Sequence, residues 1–149
     1  MQLQYEKILY GENDTHAAGC ELAELLTDSC SLHGAVITLQ GDLGAGKTTL
    51  SRGFIQSCGY SGPVKSPTYT LIEKYTTERA EICHLDLYRL EDAEELEYVG
   101  FRDLLEAKNI LLIEWPERVP SVSGLANVRV FIDHRDGESR VLRVLRDSS

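Results

Sequence analysis

The sequence predicts an α/β three-layer sandwich built on a mixed, mostly parallel sheet, and three observations carry that expectation. An apolar run at residues 35–39 leads into a glycine-rich loop, and the loop leads into a helical pattern at residues 47–57. Further apolar runs recur down the chain with helical or turn segments between them, the alternation expected of helices packed on a sheet. No repeat, low-complexity tract or linker interrupts the 149 residues. That length suits one domain, residues 1–149, with a sizeable core.

The elements follow in order. Residues 3–9 alternate loosely and read as an edge strand. Ala18, Leu22, Leu25 and Leu26 stand at i, i+4, i+7 and i+8, one apolar helical stripe, with Asn13, Asp14 or Thr15 as its cap. Residues 35–39 are a short buried strand, and the helix from Lys47 to about Ser57 closes near Gly59. Residues 61–67 hold two prolines and a glycine and read as a loop. Strands are expected at 69–75 and 80–87, and the short gap between them suggests a hairpin. Asp92 heads a capping-box-like segment with Glu95, and the helix it opens carries Ala93, Leu96 and Val99 on one face and stops at Gly100. Residues 109–115 are a buried strand ended by Pro116. Strands at 128–132 and 140–145, joined by a turn at Asp136 and Gly137, complete the sheet.

Composition bounds the function. Apolar residues are 42% and charged residues 26% of the chain, values ordinary for a globular protein. No run approaches the roughly 18 apolar residues of a membrane span, and the first residues carry no export signal, so a cytoplasmic location is expected. Cys20, Cys30, Cys58 and Cys83 form no C-x-x-C pair and read as reduced, mostly buried thiols. The net charge of −9 argues against an autonomous nucleic-acid binder, because neutralising phosphates takes clustered Lys and Arg. Contact with RNA is expected to run through a partner protein.

One segment carries specific chemistry. Gly41-Asp42-Leu43-Gly44-Ala45-Gly46-Lys47-Thr48, followed by Thr49, fits the Walker A pattern G-x-x-x-x-G-K-[ST]. Its glycines let backbone N–H groups turn inward on a phosphate, and the following helix presents its positive end to the same anion. Lys47 is placed to reach the β- and γ-phosphates, and the Thr48 hydroxyl to ligate Mg²⁺. The plainer alternative is a glycine-rich turn before a lysine, which matches by chance in about one chain in a few hundred. The strand before the loop and the helix after it decide for nucleotide binding.

A P-loop hydrolase also needs an acid at the end of a neighbouring buried strand. Glu114 ends an apolar strand and is assigned to Mg²⁺, directly or through a water. Asp86 ends the strand at 80–87 and is assigned to orienting the attacking water or to a second metal contact. An ordinary solvated strand-end acid is the alternative for each. Ser66, Pro67 and Thr68 form a possible sensor loop for a γ-phosphate. His84 reads as a strand histidine with satisfied hydrogen bonds. Trp115 reads as packing, beside Glu114 and near a nucleotide or partner surface.

These segments together resemble the TsaE (YjeE) family. The matching strings are GDLGAGKTTLSRGF at 41–54, VKSPTYTL at 64–71, HLDLYRL at 84–90, EELEYVGFRD at 94–103 and LIEWPE at 112–117. They span about half the chain in the family's order, and SPTYTL, HLDLYRL and IEWPE in this order are far more specific than the P-loop. The resemblance implies a P-loop fold that binds ATP and Mg²⁺ and hydrolyses ATP slowly alone. It also implies action on the TsaB–TsaD heterodimer in the threonylcarbamoyladenosine modification of transfer RNA. It carries the family's lysine and threonine to Lys47 and Thr48, its acids to Asp86 and Glu114, its tryptophan to Trp115 and its switch hydroxyls to Ser66 and Thr68. It further implies an adenine site near residues 12–15, including Thr15, and near Asp136 and Gly137. A small-molecule kinase and a nucleotide-gated binding module with negligible turnover stay open as alternatives. No arginine-rich insert supports the first, and no N-K-x-D guanine signature supports a GTPase.

Overall fold

Strands that are apolar on both sides belong in the middle of a sheet, with helices covering both faces. The computed structural model, which describes residues 1–28 and 34–147, arranges the chain in that way. In chain order the elements are β1 (Gln2–Tyr10), α1 (Glu12–Asp28), β2 (Val36–Gln40), α2 (Lys47–Ser57), β3 (Ile72–Thr76) and β4 (Glu81–Asp86). There follow α3 (Glu94–Tyr98), α4 (Phe101–Glu106), β5 (Ile110–Glu114), a 3-10 turn at Pro116–Arg118, α5 (Pro120–Ser123), β6 (Val128–His134) and β7 (Ser139–Arg146). The seven strands form one sheet in the order β1-β7-β6-β2-β5-β4-β3. Every residue of β5 is buried, as its unbroken apolar run requires.

The strands β6, β2, β5 and β4 are mutually parallel. The edge pairs β1/β7, β6/β7 and β3/β4 are antiparallel. The sheet is therefore mixed, with a parallel centre and antiparallel margins. Its two faces carry separate cores. Ile37, Leu39, Ile82, Ile110 and Leu112 pack with Leu22, Leu26, Leu50 and Phe54 of α1 and α2. Val36, Leu85, Leu111 and Ile113 pack with Leu96, Phe101, Leu104 and Val122 of α3, α4 and α5. The alternation of neighbours along β2 and β5 between these cores makes the three layers. No described helix is long and apolar enough to cross a membrane.

Helix α1 and helix α2 approach closely through two glycines. A Cβ on Gly53 would lie 2.1 Å from the His16 carbonyl oxygen, and one on Gly19 would lie 2.0 Å from that of Leu50. Without side chains at these points the two helices sit backbone to backbone, which seats the start of α2 firmly beside the sheet.

Some expectations shift. Helix α1 starts at Glu12, so Asn13, Asp14 and Thr15 lie inside its first turn rather than at its cap. The Asp14 carboxylate instead accepts the Tyr10 N–H at 2.8 Å, tying strand to helix. Residues 69–71 are a turn, not strand: Leu71 N–H donates to the Pro67 carbonyl at 2.8 Å, and Leu71 takes φ 71. On α3 only Leu96 is buried, with Val99 half-buried and Ala93 exposed. The expected capping box is replaced by a turn: the Asp92 carboxylate accepts Glu94 N–H at 2.9 Å, and the Asp92 carbonyl accepts Glu95 N–H at 3.0 Å. Helices α4 and α5 lie outside the sequence-based expectations; both are too short for a periodic stripe to show. Cys58 and Cys83 are buried and Cys20 half-buried, all as free thiols; Cys30 lies outside the described residues.

Candidate nucleotide site

Parallel strands end together, so whatever follows β2, β4 and β5 meets on one edge of the sheet, where α/β proteins bind ligands. Strand β2 delivers the loop at Gly41–Thr48, and the register places Asp86 of β4 opposite Glu114 of β5. A cavity of about 260 Å³ lies between them, bounded by Lys47, Thr48, Thr68, Asp86, Glu114 and Trp115. Leu43, Gly44, Gly46 and Thr49 complete its wall.

The loop's shape follows from its glycines. Gly46 stands at φ 111, a region closed to most side chains. A Cβ there would also press to 3.0 Å from the Thr15 methyl. Asp42 is exposed, and its carbonyl accepts Ala45 N–H at 3.0 Å to close the turn. The N–H groups of the first turn of α2 have no intrahelical partner, and no side chain caps them. They form the donor set that suits a phosphate.

Lys47 is 5% exposed. Its ammonium donates to the Gly41 carbonyl and lies 3.5 Å from the centre of the Trp115 ring. Burial pulls the amine below its ordinary value, and the carboxylates of Glu114, Glu117, Asp86 and Asp42 pull it partly back. Trp115 takes up this position through a left-handed backbone, φ 59 and ψ 47, which costs a non-glycine residue about 1–2 kcal/mol. Its ring also packs against Tyr88 at 4.8 Å. Trp115 is therefore more than packing: it covers the lysine.

The acids are buried and tied. The Thr48 hydroxyl donates to Glu114, 3.0 Å from Oε2 and 3.3 Å from Oε1. His84 Nε2 lies 2.6 Å from Glu114 Oε2. Asp86 Oδ2 accepts the Thr68 hydroxyl at 3.1 Å, and Thr68 is 2.8 Å from the Ser66 hydroxyl. Asp86 Oδ1 accepts Tyr88 N–H at 2.9 Å. Burial raises the Asp86 carboxyl above its ordinary value; the Tyr88 N–H opposes the shift, Glu114 adds to it, and Thr68 and His84 oppose it. The turn at 68–71 has its reason here, since it lowers Thr68 onto Asp86.

Among the described residues no three His, Cys, Asp or Glu side chains gather at one point, so no all-protein metal cage is built. Thr48, Glu114 and Asp86 offer oxygen donors only. That set fits a hard cation such as Mg²⁺, which keeps waters and takes one or two protein carboxylates beside substrate phosphates. The residues present fit the ion.

A second cavity, about 430 Å³, opens on the other side of the loop between Gly11, Glu12, Thr15, Gly44, Glu138 and Arg140. Ala45, Gly46 and Thr49 also border it. Thr15 lines it beside Gly46, its hydroxyl donating to the Gly11 carbonyl at 3.2 Å. Gly137 does not line the cavity; it forms the tip of the β6–β7 turn at φ 61, and Glu138 and Arg140 just after it face the space instead. The turn residue itself stands clear of the cavity, and the strand register decides which of its neighbours line it. His84 differs from its sequence reading as well: one ring nitrogen is bonded, while Nδ1 is buried with no partner.

Comparison with known proteins adds an independent line. The family model of threonylcarbamoyl adenosine biosynthesis protein TsaE matches residues 9–142. The chain is 48% identical over 118 residues to the tRNA threonylcarbamoyladenosine biosynthesis protein TsaE of Haemophilus influenzae, covering 79% of this chain and 75% of that protein. It is 34% identical over 148 residues to the protein of the same name from Aquifex aeolicus, covering 98% and 99%. The crystal structure of Bacillus subtilis YdiB superposes with a TM-score of 0.75 at 23% identity, covering 98% of this chain and 88% of that one. At that identity the likeness speaks for the fold alone.

Proposed function

Because the chain belongs to the TsaE family of threonylcarbamoyl adenosine biosynthesis proteins, we propose that it is a Mg²⁺-dependent ATPase serving that modification of transfer RNA. It acts on a protein complex of TsaB and TsaD homologues, and it meets RNA only through them. One observation carries the reading: Lys47, Thr48, Asp86 and Glu114 converge on one cavity at the carboxyl ends of parallel strands. The relatives' names support the pathway, and the net charge of −9 supports a protein partner.

Each residue then has a task. The first-turn N–H groups of α2 hold the phosphates, and Lys47 leaves the Gly41 carbonyl and the Trp115 ring to pair with them. Thr48 and Glu114 would hold Mg²⁺, with Asp86 as water-orienting group or further metal contact, and an ion held there would supply positive charge to the phosphate oxygens. Asp86 accepts a hydrogen bond from the attacking water, and Thr68 keeps the carboxylate aimed. Ser66 and Thr68 register the γ-phosphate and change the surface that the partner reads. Adenine and ribose occupy the cavity between Thr15 and Arg140.

The test measures phosphate release from ATP with and without Mg²⁺, alone and with TsaB–TsaD homologues and transfer RNA. Slow release alone that rises with the partners is expected, along with ATP-dependent formation of the modified nucleoside. Phosphate transfer to a nucleoside or metabolite instead of water identifies a kinase. Tight ATP binding with no release even with partners identifies a nucleotide-gated module. Either result overturns the ATPase reading.

A further inference from the structure

Strand β4 alternates, so Ile82, His84 and Asp86 share the face that looks toward α2, as do Ile110, Leu112 and Glu114 of β5. His84 pairs in register with Leu112 and lies one step below Glu114 on that face. It is 0% exposed and Glu114 is 3% exposed. An imidazole here is a burden to the fold, because a buried polar atom without a partner costs free energy. Nδ1 has none. An apolar ring or chain would fill the same layer without that cost.

The ring's one polar contact explains its presence. A carboxylate only accepts hydrogen bonds, so Nε2 carries the hydrogen and donates to Glu114 Oε2 at 2.6 Å. The same oxygen takes the Thr48 hydroxyl at 3.0 Å. Oε1 keeps only a longer Thr48 contact of 3.3 Å. Two donors from two elements therefore hold one oxygen, and they leave the other to the cavity that Glu114 borders. We infer that His84 is the positioning residue of the metal site: its Nε2–H holds Glu114 Oε2 so that Oε1 faces the ion. The inference rests on the reading of Glu114 as a magnesium ligand. Outer partners of metal ligands commonly act in this way, and their loss lowers metal affinity about 10- to 100-fold.

The test is a Mg²⁺ titration of ATP affinity, followed by calorimetry on the full chain, for the wild type, His84→Phe, His84→Gln and Glu114→Gln. His84→Phe fills the site but cannot donate, whereas the His84→Gln amide can donate again. Expected is an ATP affinity within about twofold of wild type for His84→Phe without Mg²⁺, but a Mg²⁺ requirement raised at least about tenfold. The His84→Gln variant should recover most of that loss. If His84→Phe does not fold, His84→Leu replaces it, with the same outcomes required. An unchanged Mg²⁺ titration in His84→Phe overturns the inference, as does an equal loss of ATP affinity with and without Mg²⁺. Glu114→Gln separates the two failures: if it shifts the titration and His84→Phe does not, only the role of His84 falls. If Glu114→Gln also leaves the titration unchanged, the ligand assignment falls with it.

Discussion

Lys47 and Asp86 face each other's environment with opposite consequences of the same burial. The Lys47 amine in the folded protein loses protons more readily than in the free chain. Its favourable contribution is therefore complete only above the free-chain value and falls away as pH drops through the folded one. At neutral pH the charged amine is a cost to the empty fold, relieved when an anion arrives. Charge-assisted hydrogen bonds contribute about 1.5–3 kcal/mol, so Lys47→Ala should weaken ATP binding roughly ten- to a hundredfold, measured by calorimetry. Asp86 holds its proton more tightly than in the free chain. Its favourable contribution is present below the free-chain value and is lost as pH rises through the folded one. Asp86→Asn should therefore raise the melting temperature of the empty protein at pH 7, with the gain shrinking as pH falls into the carboxylate range. The same variant should keep ATP and lose most phosphate release. A melting temperature that does not move, or moves down, counts against the burial argument.

Helix α2 carries both Lys47 and Thr48, so its seat controls the site. That seat depends on the approach at Gly53, where a Cβ would meet the His16 carbonyl at 2.1 Å. Backbone atoms on both sides cannot swing away as a side-chain tip can. Gly53→Ala should cost about 1–3 kcal/mol, the usual range for overpacking, seen as a lower melting temperature. Because the helix must shift, ATP affinity should fall as well, although residue 53 lies far along α2 from the phosphates. Unchanged melting and unchanged binding together would show that the helices part without consequence. On the opposite side of the site lie the turn at Thr68–Leu71 and the 3-10 turn that follows Trp115. Leu71, in the first, and Trp115, just before the second, stand at positive φ, 71 and 59, and Thr68 and Trp115 line the cavity.

At the scale of the whole molecule, ligand binding and stability are one equilibrium. A ligand that binds only the folded state at about a hundred times its Kd adds about 2.7 kcal/mol. For a chain of this size that amounts to a rise of roughly 5–10 °C in melting temperature. MgATP should produce that shift in the wild type and at most about half of it in Lys47→Ala, whose ten- to hundredfold weaker binding leaves about 0.4–1.4 kcal/mol at the same ligand concentration, read by thermal denaturation. The net charge of −9 bears on partners in the same way. With only 15 Lys and Arg against 24 Asp and Glu to release counterions from a polyanion, the isolated chain should show no transfer-RNA binding tighter than the micromolar range by fluorescence anisotropy. Tight binding that weakens steeply with salt would move RNA from indirect to direct partner.

Much of this molecule was legible in one dimension. The phosphate loop, the helix behind it, the apolar central strands and the two strand-end acids are local patterns, and each appears where the residue order places it. The family resemblance is likewise written in short strings. What the residue order could not show depends on register and packing between distant segments. That Glu114 is shared between Thr48 and His84, that Trp115 leaves extended geometry to cover Lys47, and that Arg140 rather than Gly137 lines the cavity beside Thr15 all follow from β4, β5 and β7 settling beside their neighbours. The short helices α4 and α5 escaped for a related reason: segments of one or two turns owe their form to the apolar layer beneath them. Residue types declare which groups can bind phosphate and metal. Only burying both faces of the sheet decides which of those groups touch, because a strand's register is set by the core it must fill.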